Sequence, residues 1–169
     1  MRILLLLCLI LISFTSCKST RHAKIVTKKS EKEKTIDISE ANSIASNIVE
    51  YAQQFEGVRY KYGGTTKKGM DCSGLIYTTY KSENILMPRT TNDLAKTGDW
   101  IDLKEVKKGD LLFFATKKNS RKSNHVGIVT DVNNDDVAFI HASTSKGVMT
   151  SKIKERYWYF AFVQARRVL

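Results

Sequence analysis

The sequence predicts an α+β domain in which N-terminal helices pack on an antiparallel β-sheet. Three observations carry this. Ala41, Ile44, Ala45, Ile48, Ala52 and Phe55 recur at helical spacing ahead of Gly57. After Gly109-Asp110 the chain holds only short runs rich in apolar, aromatic and β-branched residues. Turn residues such as Asn133-Asn134-Asp135-Asp136 separate two of those runs, too few for a crossover helix. Consecutive strands joined this way imply an antiparallel meander.

The N-terminus sets the compartment. Met1-Arg2 is a short positive stretch and residues 3–12 form an unbroken apolar run. A mature membrane-spanning helix needs roughly 20 apolar residues, so the run suits the h-region of an export signal. Ser13-Phe14-Thr15-Ser16-Cys17 then resembles a bacterial lipobox, with Phe14 where Leu is usual. The expected division is a lipoprotein signal at 1–16, a flexible tether at 17–38 starting from lipidated Cys17, and a folded domain at 39–169. The tether mixes Lys, Glu, Ser and Thr with few large apolar residues and cannot bury enough surface to fold alone. Lipid on Cys17 would hold the chain at the cell envelope, on the outer membrane facing the periplasm, because two or more acyl chains anchor stably.

Cysteine usage follows. Cys8 lies in the removed signal and Cys17 is consumed by lipid, leaving Cys72 without a disulfide partner. Stability must then come from a packed core, for which the roughly 130 remaining residues suffice as one domain.

Along the domain, the spacing predicts a helix over residues 40–55 with Ser39 as N-cap. A glycine-rich loop follows from Val58 to Met70, holding Tyr60, Tyr62, Gly63, Gly64 and Gly69. A second helix starts at Cys72 with Asp71 as N-cap, although Thr78, Thr79 and Ile76 also allow a strand. A shorter helix covers residues 91–97, ended by Gly98. Strands are expected over 111–115, 125–130, 137–141, 147–150 and 159–166.

The formal net charge is +11, spread over the tether, Lys67-Lys68 and residues 116–124. No aromatic-interleaved basic stripe accompanies it, which disfavours nucleic acid as a partner. Anionic lipid head groups or an acidic wall polymer fit better, and a merely solvated surface fits equally well. The domain is expected to be monomeric.

The chemistry concentrates at Asp71-Cys72-Ser73-Gly74. A thiolate is the attacking form of cysteine, and a helix start stabilises it through the dipole. Free N–H groups there also suit an oxyanion. His125 opens one strand run and His141 ends the next, so a hairpin would bring both to the same end of the sheet. His125 then suits a general base and His141 a partner that sets its tautomer. Cys followed by His and a polar third member is the order of parts in papain-like enzymes. Taken singly, a Cys in an apolar helix is usually an inert core residue and a His a surface or hydrogen-bonded one. Zinc on Cys72 and the two histidines is another option, but the close ligand spacing of structural zinc is absent. No metal or organic cofactor is expected.

Tyr62-Gly63-Gly64, Asp71-Cys72-Ser73-Gly74-Leu75, Pro88-Arg89-Thr90, Gly109-Asp110-Leu111-Leu112-Phe113-Phe114, His125-Val126-Gly127-Ile128 and His141-Ala142-Ser143 stand in this order. Together they resemble the NlpC/P60 family, papain-like cysteine peptidases of bacterial cell-wall peptides, and the layout is similar to its small lipoprotein members. The resemblance implies Cys72 as nucleophile, His125 as base and His141 as orienting residue. It implies Tyr62 in oxyanion stabilisation or substrate positioning, with Asp71 and Ser73 shaping the cleft. It also implies peptidoglycan peptides as the substrate.

Overall fold

The computed structural model describes residues 37–134 and 136–169. The expected signal, Cys17 and nearly all of the tether lie outside the described residues. Among the described residues, no helix is long and apolar enough to cross a membrane.

Helix α1 (Ile38–Gln53) buries Ala45, Ile48, Val49 and Ala52, the predicted stripe. Its N-cap is Asp37 rather than Ser39, whose hydroxyl lies in the first turn and donates to Asp37 Oδ2. The glycine-rich loop contains a two-stranded hairpin, β1 (Thr65–Thr66) and β2 (Gly69–Met70). Helix α2 (Cys72–Ser82) follows with Asp71 as N-cap, resolving the helix-or-strand ambiguity. Thr79 fits the helix interior by donating back to the Leu75 carbonyl. Helix α3 is only Thr91–Leu94, capped by Thr90.

The main sheet comprises β3 (Asp99–Ile101), β4 (Leu111–Phe114), β5 (His125–Asn133), β6 (Asp136–Ser143), β7 (Gly147–Lys152) and β8 (Phe162–Arg167). Its order is β3-β8-β4-β5-β6-β7, with every pairing antiparallel. The meander therefore holds for β4 to β7 only. β8 returns across the sheet to lie beside β4, and β3 closes that edge. The predicted strand at 159–166 is divided: its first residues belong to helix α4 (Arg156–Ala161), and pairing starts at Phe162.

Helix α4 matters because the sheet is covered on both faces. Leu111, Phe113, Val126 and Ile128 pack with α1 and α2. Leu112, Phe114, Val129 and Phe139 pack with Trp158 and Ala161 of α4. This is why Leu-Leu-Phe-Phe in β4 is an unbroken buried run rather than an alternating one. The layers are thus helices, sheet, and a short helix beyond it.

Candidate active site

The site is built where α2 begins. The Asp71 carboxylate caps the helix by accepting from the Gly74 N–H at 2.7 Å, and takes the Gly63 N–H at 2.6 Å. Arg89 meets it in a bidentate pair, Nη1 to Oδ1 at 2.8 Å and Nη2 to Oδ2 at 3.0 Å. The same guanidinium donates to Ser73 Oγ and to the Gly64 carbonyl. Burial alone would raise the Asp71 pKa, but Arg89 and the Gly74 and Gly63 N–H groups hold it below the ordinary carboxylate range. Gly74 is required here, because a Cβ would run into the Gly64 carbonyl oxygen. Asp71 and Ser73 are therefore fixed on their neighbours while still lining the cleft.

Cys72 is 9% exposed and carries the free thiol among the described residues. Its Sγ lies 3.7 Å from the Thr91 hydroxyl at the start of α3. Burial pushes the thiol pKa up. The Thr91 hydroxyl and the N–H groups of Val126 and Ser73 oppose that rise, while the Asp71 charge adds to it. Contact with the Val126 N–H brings the thiol to the start of β5, where His125 is the adjacent residue.

The register of β5 and β6 sets the histidines. His141 pairs with Gly127, so His125 and His141 are diagonal neighbours on one face. His125 Nε2 lies 3.0 Å from His141 Nδ1, and His141 Nε2 lies 3.1 Å from Ser151 Oγ on β7. A Cβ at residue 127 would strike the Phe139 ring and the Ile140 carbonyl, so glycine keeps this face open. Trp158 of α4 stacks on His125 with centroids 5.5 Å apart and meets His141 edge-on at 4.6 Å. Burial lowers the His125 pKa to about 4. Burial, then the neighbouring His125, lowers His141 to about 3, so both rings are neutral at pH 7.

Tyr62 and Tyr60 both line the cleft, a cavity of about 470 Å³ that also includes Cys72, Thr90 and Asn124. Their settings differ. Tyr62 is 88% exposed. Tyr60 is half-buried and bridges to Met70; burial raises its pKa and the Cys72 charge raises it further. Tyr60, Arg89, Thr91, Ser151 and Trp158 were not singled out from the sequence as site residues. Arg89 stood within a quoted motif; the others had no local signal.

A family model described as the NlpC/P60 family matches residues 57–167. The chain belongs to the NlpC/P60 family. It is 38% identical over 162 residues to a "Probable endopeptidase NlpC" of Escherichia coli K12, covering 95% of this chain and 98% of that one. It is also 38% identical over 127 residues to the "Murein DD-endopeptidase MepS/Murein LD-carboxypeptidase" of the same strain. That match takes in 75% of this chain and 64% of the relative, just under two thirds of its length. Among solved structures, an NlpC/P60 family protein from Bacillus cereus superposes with a TM-score of 0.67 at 28% identity. The superposition covers 74% of this chain and 40% of that one, so this NlpC/P60 domain matches only part of the larger protein.

Proposed function

We propose that the chain is a cysteine endopeptidase that hydrolyses amide bonds in peptidoglycan peptides, with Cys72 as nucleophile and His125 as general base and acid. The observation that carries this reading is the thiol at a capped helix start, held against the first residues of a strand whose His125 leads into a buried His141–Ser151 chain. The endopeptidase names of the relatives support the substrate class.

Of the two directions in which this hydrogen-bonded chain can run, one leaves His125 able to accept a proton. With His125 donating from Nε2 to His141 Nδ1, and His141 donating from Nε2 to Ser151, Nδ1 of His125 is left to take the thiol proton. The thiolate attacks the amide carbonyl, and a C–S bond forms as the oxygen gains charge. The Cys72 N–H at the helix start and the Tyr60 hydroxyl are suited to hold that oxyanion. The C–N bond breaks, and His125 gives its proton to the departing amine. Water, deprotonated by the same ring, then attacks the thioester, releasing a carboxylate and restoring the thiol. Tyr60 suits the oxyanion role better than the exposed Tyr62, which is left to position substrate at the rim. Thiol chemistry of this kind uses no metal or organic cofactor.

The same reading makes residues 1–16 a lipoprotein signal and 17–38 a tether from lipidated Cys17. A monomeric catalytic domain would then work in the envelope, anchored to the outer membrane. Stoichiometric carbamidomethylation of Cys72 with iodoacetamide should stop muropeptide release from isolated sacculi. Release that continues after complete labelling would sink the reading.

A further inference from the structure

A second concavity, of about 580 Å³, lies between α4 and the loop that follows β4. Lys117, Lys118 and Arg156 line it together with the rings of Tyr157 and Phe160, and no acidic residue is among its lining. Tyr157 is 58% exposed and Phe160 67%. Within α4 only Trp158 and Ala161 are buried, so the Tyr157 and Phe160 rings stand out to solvent. Arg121 ties the loop to the helix by donating to the Phe160 and Phe162 carbonyls at 3.5 and 3.4 Å.

The groove adjoins the cleft. Thr116 lines the groove and Asn124 lines the cleft, and the two residues bind each other. The Thr116 N–H donates to Asn124 Oδ1 at 2.7 Å, and Asn124 Nδ2 donates to Thr116 Oγ1 at 2.8 Å. One clamped pair at the neck of the loop is the partition between the two.

We infer that this groove is an accessory binding site for the acidic glycopeptide strand that carries the scissile peptide, engaging carboxylates through Lys117, Lys118 and Arg156 and sugar faces through Tyr157 and Phe160. The inference rests on the peptidase reading above. Continuity with the cleft favours a polymer over a membrane. A strand whose peptide occupies the cleft must continue beyond it, and a cationic, ring-lined groove raises the local concentration of an acidic chain. A bilayer surface cannot follow a concavity into the cleft.

The test compares full-length wild type, Lys117→Glu/Lys118→Glu and Phe160→Ser on two substrates: isolated sacculi and a short soluble stem peptide. In both variants the rate on sacculi should fall about tenfold further than the rate on the short peptide. The wild-type preference for sacculi should also shrink with added salt. The charge-reversed loop is exposed, so it keeps the comparison informative if Phe160→Ser folds poorly. Parallel losses on both substrates, or no loss on either, overturn the groove. So does an unchanged ratio accompanied by weaker sedimentation with phosphatidylglycerol vesicles, which would assign the surface to lipid. Should Cys72→Ala release muropeptides as fast as wild type, the peptidase reading itself fails. If only Cys72→Ala is inert and the groove variants match wild type, the groove alone is wrong.

Discussion

His125 Nε2 and His141 Nδ1 stand 3.0 Å apart across adjacent strands, and both rings are buried. The contact is fixed by β-sheet register, since His141 lies opposite Gly127. It leaves His125 Nδ1 as the ring nitrogen available to a thiol. The His125 ring is thus oriented by backbone pairing as well as by a side chain.

His141→Ala should therefore lower kcat by about a hundredfold with a smaller change in KM, because the ring of His125 loses its tautomer and orientation. Ser151→Ala, one hydrogen bond further out, should cost less than about tenfold. Steady-state kinetics on a stem peptide check both. An equal loss from the two variants would mean the chain acts through folding alone.

Tyr60→Phe and Tyr62→Phe separate the two tyrosines. Removing an oxyanion donor lowers kcat by about a hundredfold or more. That loss is expected for Tyr60→Phe, whose phenol is close enough to Cys72 to feel its charge. Tyr62→Phe, on an 88% exposed side chain, should change mainly KM.

Acid should destabilise the fold before it protonates the carboxylates. His125 and His141 fold with pKa values of about 4 and about 3, against 6.5 for the unfolded residue. The unfolded chain therefore binds more protons in that window. Stability is complete above about pH 6.5 and falls as the pH drops toward 4, by about 3 kcal/mol from His125 alone. Asp71, with its lowered pKa, loses its contribution only at still lower pH. Urea midpoints measured from pH 7 to 4.5 check the slope, and His141→Gln should flatten it.

Arg89→Ala leaves the buried Asp71 carboxylate with its backbone N–H partners alone. The arginine side chain is 34% exposed, so the loss is discounted to about 2 kcal/mol, below that of a fully buried pair. Thermal unfolding reads this directly. Activity should fall further than stability explains, because Arg89 also holds Ser73 and the Gly64 carbonyl beside the thiol.

Much of the site was legible because its signals are local. Asp71 as a cap and Cys72 at the helix start follow from neighbouring residues, and the hairpin turn brings His125 and His141 together. Arg89 was not readable as the lock on Asp71, since the two meet only through the folding of residues 71–89. The choice between Tyr60 and Tyr62 depends on the Tyr60–Met70 bridge, which spacing alone does not reveal. The end of helix α4, residues 159–161, reads as strand in the sequence because Tyr159 and Phe160 have strong strand propensity. Packing of Trp158 on the histidines overrides that preference. The edge position of β3, and β8 beside β4, are long-range pairings with no local signature.

The central claim is that Cys72 makes the covalent bond to substrate. Muropeptide release from isolated sacculi by full-length wild type and Cys72→Ala, followed by mass spectrometry, tests it most directly. The account predicts peptide fragments from the wild type and background release from Cys72→Ala. Release by Cys72→Ala at the wild-type rate would contradict it.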